Sequence, residues 1–169
     1  MNKLLVCIFC VGVLLLTVAG CGKPKPEGFP SLEKVTLIVQ QDGAPLAGAS
    51  VSLFSDDKSI KWSVGGISND RGEVTVKTHG QYPGAPQGKY VVTVVKAEYT
   101  KSSLPENAPL DADAYAEWQK QRDEEKLPVY DLVDPTLKDR QTSKLEITVS
   151  KGSNSETLDC GKAIRQERK

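Results

Sequence analysis

Short apolar runs that alternate with polar residues, each bounded by a turn, recur along the chain and constrain its fold most strongly. In residues 35–39 every second residue is apolar, and the same period returns in 51–54, 73–77 and 145–149. This period is typical of strands with one buried face. Residues 90–95 are apolar on both faces, which predicts a central strand. The pattern predicts an all-β fold, an antiparallel β-sandwich of about seven strands.

One long insert, residues 98–143, interrupts this pattern. Its centre, residues 111–126, predicts a helix, because Asp111 or Asp113 can cap the first turn and Pro128 follows the last. Loops of this length inside a domain are usually functional or disordered. The insert is therefore the segment whose role the strand pattern does not explain.

The first 20 residues predict an export signal that is not part of the domain. Lys3 is their only charge, residues 4–16 are apolar, and small residues lead to Gly20 and Cys21. The apolar stretch is short for a transmembrane helix. The ending Val-Ala-Gly-Cys resembles the bacterial lipobox, which implies that signal peptidase II cleaves between Gly20 and Cys21 and that Cys21 carries lipid. An ordinary cleaved signal and an uncleaved anchor are the alternatives.

These boundaries divide the chain into a signal peptide (1–20), a lipidated Cys21 with a flexible tether rich in Pro and Gly (21–31), and a single β-sandwich domain (32–169). A triacylated Cys, with palmitate among its chains, predicts stable membrane attachment. Cys7 and Cys10 leave with the signal peptide, so Cys160 alone remains and no intrachain disulfide is expected.

Cys160 alternates with Leu158, which favours a buried thiol over a reactive one. The basic tail, residues 161–169, is expected to be frayed and solvated. Contact of this tail with anionic lipid or an anionic polymer is the alternative.

The balance of charges and the single histidine exclude several classes of function. The chain has 22 basic and 22 acidic residues, whereas nucleic-acid binding normally needs a basic surplus, so no nucleic-acid partner is expected. His79 is the only histidine, and both a hydrolytic triad and a zinc site need further partners that this chain does not offer in any recognisable spacing. We therefore expect no enzyme, no metal and no cofactor.

Several turn and strand motifs carry a resemblance to a known family. Residues 43–53 resemble the opening turn of carboxypeptidase-regulatory-like domains, 69–74 their hairpin, and 88–94 their Gly-x-Tyr strand. Residues 134–135 and 142–149 are similar to the end of a group of small bacterial lipoproteins with no assigned function. The resemblance omits the helical insert. It implies a transthyretin-like (prealbumin-like) sandwich, which in the carboxypeptidases is an accessory module without catalytic residues.

Two hypotheses for function follow. The first is a lipid-anchored, non-catalytic structural or protein-interaction domain of the cell envelope, outside the cytoplasm, facing the periplasm or the surface. The alternative is a module that binds envelope or extracellular polysaccharide, because aromatic rings can stack on sugars. We expect a monomer. Gly22, the residue after the lipidated Cys, favours onward transport from the inner membrane. The candidate ligand contacts are the aromatic residues Trp62, Tyr82, Tyr115 and Trp118. For Trp62 and Trp118, packing in the core or in the insert is the favoured alternative.

Overall fold

The alternating segments form strands in the computed structural model, which describes residues 24–168. The predicted signal peptide, the cleavage site at Gly20 and the lipid site at Cys21 lie outside these described residues. The strands are β1 (Lys34–Gln41), β2 (Ala44–Pro45), β3 (Ser50–Phe54), β4 (Val64–Ile67), β5 (Glu73–Thr75), β6 (Lys77–Thr78), β7 (Tyr82–Pro83), β8 (Gly88–Val95), β9 (Ala97–Tyr99), β10 (Val129–Asp131), β11 (Leu145–Val149), β12 (Ser153–Asp159) and β13 (Gln166–Glu167), and the α-helix is α1 (Ala112–Glu124).

Two sheets form the sandwich. The first has β1 at its centre, with β12 on one side and the short strands β2 and β5 on the other. The second is antiparallel throughout, in the order β11-β8-β3-β4-β6-β7. Six of the described strands have four residues or more, close to the predicted seven. The predicted all-β sandwich with one helical insert is therefore confirmed.

One pairing differs from the predicted antiparallel arrangement, because β12 runs parallel to β1. The turn between β11 and β12 carries the chain from one sheet to the other and does not fold β12 back onto β11. Asn154 holds this turn, since its Oδ1 accepts from Ser150 N at 2.8 Å and its Nδ2 donates to Ser150 O at 2.8 Å. A crossing of this kind leaves no trace in the period of the sequence.

The core lies between the inner faces of the two sheets. In β1 the alternating residues Val35, Leu37 and Val39 are at most 2% exposed. They face residues of the second sheet such as Val51 and Val92, which are equally buried. Each inward side chain is covered by the opposing sheet, and this burial is the main stabilising contribution to the fold. Strand β8 lies between β11 and β3, as its apolar sequence predicts.

The insert contains both a helix and part of a third sheet. Helix α1 lies inside the predicted range 111–126, and Asp111 caps it by accepting from Asp113 N at 3.1 Å and Ala114 N at 3.0 Å. Strand β10 pairs with β9 on one side and with β13 on the other. The expectation of a frayed tail is therefore wrong for residues 166–167, because they complete this small sheet.

The ends of β1 define two poles of the domain. Before β1, Glu33 forms a bridge with Ala85, and we call the surface around residues 24–33 the tether pole. At the other end, Gln41 Nε2 donates to Leu132 O at 2.8 Å, beside the third sheet, and we call this end the insert pole. Seven steps at about 3.3 Å per residue separate the two ends of β1 by roughly 23 Å.

The tether differs from the sequence-based expectation of a flexible spacer over 21–31. Phe29 N–H donates to Pro26 O at 3.1 Å and closes a turn in which Gly28 has φ +71°. The Phe29 ring packs on Tyr82, with centroids 4.6 Å apart. Proline and glycine content predicts the lack of regular structure in this segment, but not its long-range contact with the domain.

Candidate functional site

The four aromatic residues singled out in the sequence fall into two separate groups. Trp62 and Tyr82 lie at the tether pole, whereas Tyr115 and Trp118 lie on helix α1. All four are at least partly accessible to solvent, and none belongs to the buried core. The two groups have different surroundings, which determine whether a ring face is free for a ligand.

At the tether pole the aromatic rings pack against one another. Phe29 lies between Trp62 and Tyr82, with centroid distances of 5.1 and 4.6 Å. His79 packs against Trp62 at 5.2 Å in an edge-on arrangement. Such tilted and edge-to-face pairs each contribute about 0.5–1.5 kcal/mol beyond their buried area. We call Phe29, Trp62, Tyr82 and His79 the tether cluster; its rings hold the chain before β1 and do not form an open platform for sugar.

The second group belongs to a self-contained element that we call the helical arm, residues 100–128. Its two ends meet where Thr100 Oγ1 donates to Pro128 O at 2.7 Å, directly after the pairing of Tyr99 with Val129. Within the described residues, helix α1 contains no buried residue. The arm therefore projects from the third sheet and is not packed into the sandwich.

Contacts inside the arm give it a defined shape. Glu125 accepts hydrogen bonds from Ser103 N and Ser103 Oγ, each at 3.1 Å, and from Ser102 Oγ. The bond from the Ser102 hydroxyl is the main cause that lowers the pKa of Glu125 below its ordinary value. These bonds join the loop before the helix to the helix end, so the loop lies along α1.

Trp118 forms the wall of a small cleft in the arm. Its Nε1 donates to Pro105 O at 3.2 Å, and the Arg122 guanidinium lies 5.0 Å from its ring centroid. The cleft has a volume of about 340 Å³ and is also lined by Lys101, Leu104 and Glu106. An aromatic wall with charged groups at its rim can hold a small polar ligand or the side chain of a partner.

The outer surface of the arm carries exposed apolar groups on an acidic background. Leu110 is fully exposed and Tyr115 is 43% exposed, and the Tyr115 and Trp118 centroids are 6.0 Å apart. Residues 100–128 contain seven acidic and four basic side chains, so the arm is net negative. Leu110 and Tyr115 are therefore exposed apolar side chains on a segment whose charge is net negative.

A larger groove on the sandwich was not predicted from the sequence. It has a volume of about 770 Å³, and its lining includes four carboxylate residues and Lys89. Arg140 pairs with one of these carboxylates, Asp56, at 3.2 Å. Two of the groove's acidic residues follow β3, and the other two lie on β11 and β12. The acidic residues of the groove are Asp56, Asp57, Glu146 and Glu156.

These carboxylates do not form a metal site. Within residues 24–168 no group of three or more His, Cys, Asp or Glu side chains is arranged to hold a metal ion. Asp57 instead accepts from Ser59 N at 2.8 Å, and this backbone hydrogen bond lowers the pKa of Asp57. The bond identifies Asp57 as a turn residue.

The insert pole also contains a buried carboxylate, Asp131. It accepts from Arg168 Nε at 3.1 Å and from Lys138 Nζ at 3.2 Å, and Arg168 donates to it through a second nitrogen as well. The hydrogen bond from Arg168 is the main cause that holds the pKa of Asp131 below its ordinary value. Both oxygens are satisfied by cations of the same chain, so Asp131 joins the tail to the third sheet.

The remaining reactive group, Cys160, is 3% exposed and packs in the core. Burial raises the pKa of its thiol to about 11. The preference for a buried over a reactive thiol is therefore confirmed, since a protonated and inaccessible sulfur is a poor nucleophile.

No helix of the described residues is long and apolar enough to span a membrane. Comparison of the chain with protein-family models, with curated proteins and with solved structures finds no match. The similarity to carboxypeptidase-regulatory-like domains therefore rests on the turn and strand motifs alone.

Proposed function

We propose that this chain is a lipid-anchored protein of the cell envelope whose domain binds a protein partner through the helical arm. The anchor is Cys21, exposed as the first residue when signal peptidase II cleaves after Gly20. The sequence Val-Ala-Gly-Cys after a short apolar stretch carries this part of the proposal. A lipid on Cys21 places the domain outside the cytoplasm.

The helical arm carries the proposal of an interaction domain. A 13-residue helix without a buried residue contributes little to the core, yet internal hydrogen bonds and the stacking of Arg122 on Trp118 give it a defined surface. Preorganised surfaces of this kind bind with a smaller loss of conformational entropy. The exposed Leu110 and Tyr115 supply apolar contacts, and the acidic surroundings favour a partner with a basic face.

A non-catalytic role is part of this proposal. Its support is that His79 packs edge-on against Trp62 and that the thiol of Cys160 is buried. The acidic groove contains carboxylates, but Asp56 pairs with Arg140 and Asp57 holds a turn. A hydrolytic triad also needs a histidine base, and His79, the single histidine of the chain, packs on Trp62.

Site-specific photocrosslinking in intact cells tests the proposal. A photoreactive amino acid at Tyr115 is expected to give one discrete protein adduct, and the same group at Phe54, which is 38% exposed on the sandwich, serves as the matched control. The adduct should decrease at high salt, because salt screens the acidic surface. No adduct from Tyr115, or the same adducts from both positions, would contradict the proposal.

A second candidate function, polysaccharide binding, has one specific observation in its favour. The cleft beside Trp118 offers an aromatic wall with polar groups at its rim. Tyr82 and Trp62 support it less, because Phe29 packs against both. In co-sedimentation with purified envelope polysaccharide, Trp118→Ala should then abolish binding and Tyr82→Phe should leave it unchanged. A parent protein that stays in solution would exclude this function for that polymer.

A further inference from the structure

The chain that precedes β1 is held on the tether pole at a fixed place. Tyr82 Oη donates to Pro24 O at 2.7 Å, and Phe29 packs against both Tyr82 and Trp62. The turn closed by Phe29 N–H and Pro26 O lies between these two contacts. Residues 24–30 are therefore attached to the domain and do not separate it from whatever holds the N-terminus.

The attachment limits how far the domain can lie from a lipid on Cys21. Three peptide units join Cys21 to Pro24, and they span at most about 11 Å in any conformation. A free spacer of residues 21–31 would allow a separation of roughly 36 Å between the lipid and the domain, and every orientation of the domain. The contacts of Pro24 and Phe29 remove most of this freedom.

We infer that the tether pole is a membrane-facing surface, held against phospholipid headgroups when Cys21 carries lipid. This inference rests on the proposed lipid anchor. The helical arm is attached to β9 and β10, which lie beside the far end of β1, so its attachment point is on the side of the domain opposite the tether pole. The orientation leaves the arm accessible to a partner protein.

The side chains at the tether pole suit a phospholipid surface. Trp62 and Tyr82 are of the residue types enriched at membrane interfaces, and both are half-buried, so the parts of their rings that Phe29 does not cover are accessible to headgroups. Lys25 places its Nζ 5.9 Å from the Phe29 ring centroid, and its ammonium group is exposed to solvent. A cation so close to the anchor can pair with lipid phosphates. The same segment also contains Glu27 and Glu33, so the attraction to an anionic leaflet is local to Lys25, whereas the arm carries three more acidic than basic side chains.

The two tryptophans provide a direct test, because Trp62 belongs to the tether cluster whereas Trp118 lies on the arm attached at the insert pole. The mature lipidated protein is reconstituted into phosphatidylethanolamine–phosphatidylglycerol vesicles that carry dansyl groups on a fraction of the headgroups. Trp118→Phe leaves Trp62 as the single donor for energy transfer, and Trp62→Phe leaves Trp118. We expect transfer efficiency from Trp62 to exceed that from Trp118 by about twofold or more, since the length of β1 separates their poles.

A matched pair of variants tests whether the docked tether is the cause. Phe29→Ala, in the protein with Trp62 as the only donor, should lower the transfer because it releases the tether. Phe54→Ala, which removes an aromatic ring from the sandwich surface, should leave the transfer unchanged. Circular dichroism checks that both variants remain folded.

The outcomes separate this inference from the proposal on which it rests. Equal transfer from both tryptophans in protein that floats with the vesicles would overturn the membrane-facing pole and leave the lipid anchor intact. Loss of flotation and of labelled palmitate in Cys21→Ser supports the anchor. Parent protein that neither floats nor incorporates palmitate would overturn both.

Discussion

Removal of the helical arm should leave the sandwich intact, and the size of the effect follows from the structure. Replacement of residues 101–127 by four Gly and Ser residues joins Thr100 to Pro128, which already contact each other through a 2.7 Å hydrogen bond. The closed loop shortens from 27 residues to four. Because the cost of loop closure scales as 3/2 RT ln n, this shortening stabilises the fold by at most about 1.7 kcal/mol.

We expect no loss of sandwich stability that would offset this gain. Helix α1 buries no residue, and the polar contacts of Glu125 and Trp118 stay within the arm. Urea denaturation followed by Trp62 fluorescence measures the change in the free energy of unfolding. We expect between zero and about 1.7 kcal/mol of added stability, with an m-value no larger than that of the parent, because m scales with the surface that unfolding exposes. A loss of more than about 2 kcal/mol, well beyond ordinary surface effects, would refute the claim that the arm serves binding and not folding.

Three further predictions concern single groups. Tyr90→Phe removes a buried 2.8 Å hydrogen bond to Pro86 O and should cost about 1 kcal/mol in urea denaturation at pH 8. Burial raises the pKa of Tyr90 to about 12 from 10, so the free energy of unfolding of the parent should also fall between pH 10 and pH 12. The variant should lack this fall, and an equal dependence of unfolding free energy on pH in both proteins would contradict the prediction. Cys160 should resist a thiol reagent at pH 8 in the native mature protein, because burial raises the pKa of its thiol to about 11. It should react fully in urea, where the core is exposed. Rapid labelling of the native protein would contradict the burial of this thiol. Asp131→Asn should lower the melting temperature at pH 7. Because the pKa of Asp131 is depressed in the folded state, its contribution to stability is present above the ordinary value of 3.8 and disappears as the pH falls below it. The melting temperatures of the parent and the variant should therefore converge in acid. A difference in melting temperature that stays constant with pH would exclude the ion pair as the cause.

Local patterns in the sequence predicted the parts of the fold that depend on neighbouring residues. Alternation in residues 35–39 and 145–149 identified β1 and β11, and one of the two capping candidates, Asp111, is the residue that caps the start of helix α1. These features are readable because strand period and helix caps involve residues within a few positions of each other.

The contacts that the sequence did not predict join distant residues. Arg168 pairs with Asp131 across 37 positions and converts a tail that looks solvated into part of the third sheet. Phe29 reaches Trp62 and Tyr82 and fixes a segment whose composition indicates a spacer. The four candidate aromatics were chosen by residue type. Only the contacts with Phe29 distinguish Trp62 and Tyr82, which it covers, from Tyr115 and Trp118. Neither period nor composition contains this information.

The lipid on Cys21 is the claim on which location, orientation and access to a partner all depend. Intact-mass and N-terminal peptide analysis of the protein purified from membranes tests it directly. The account predicts a chain of residues 21–169 whose Cys21 carries a diacylglyceryl group and an amide-linked acyl chain. An unmodified N-terminus, cleavage at another position, or a chain that retains residues 1–20 would contradict it.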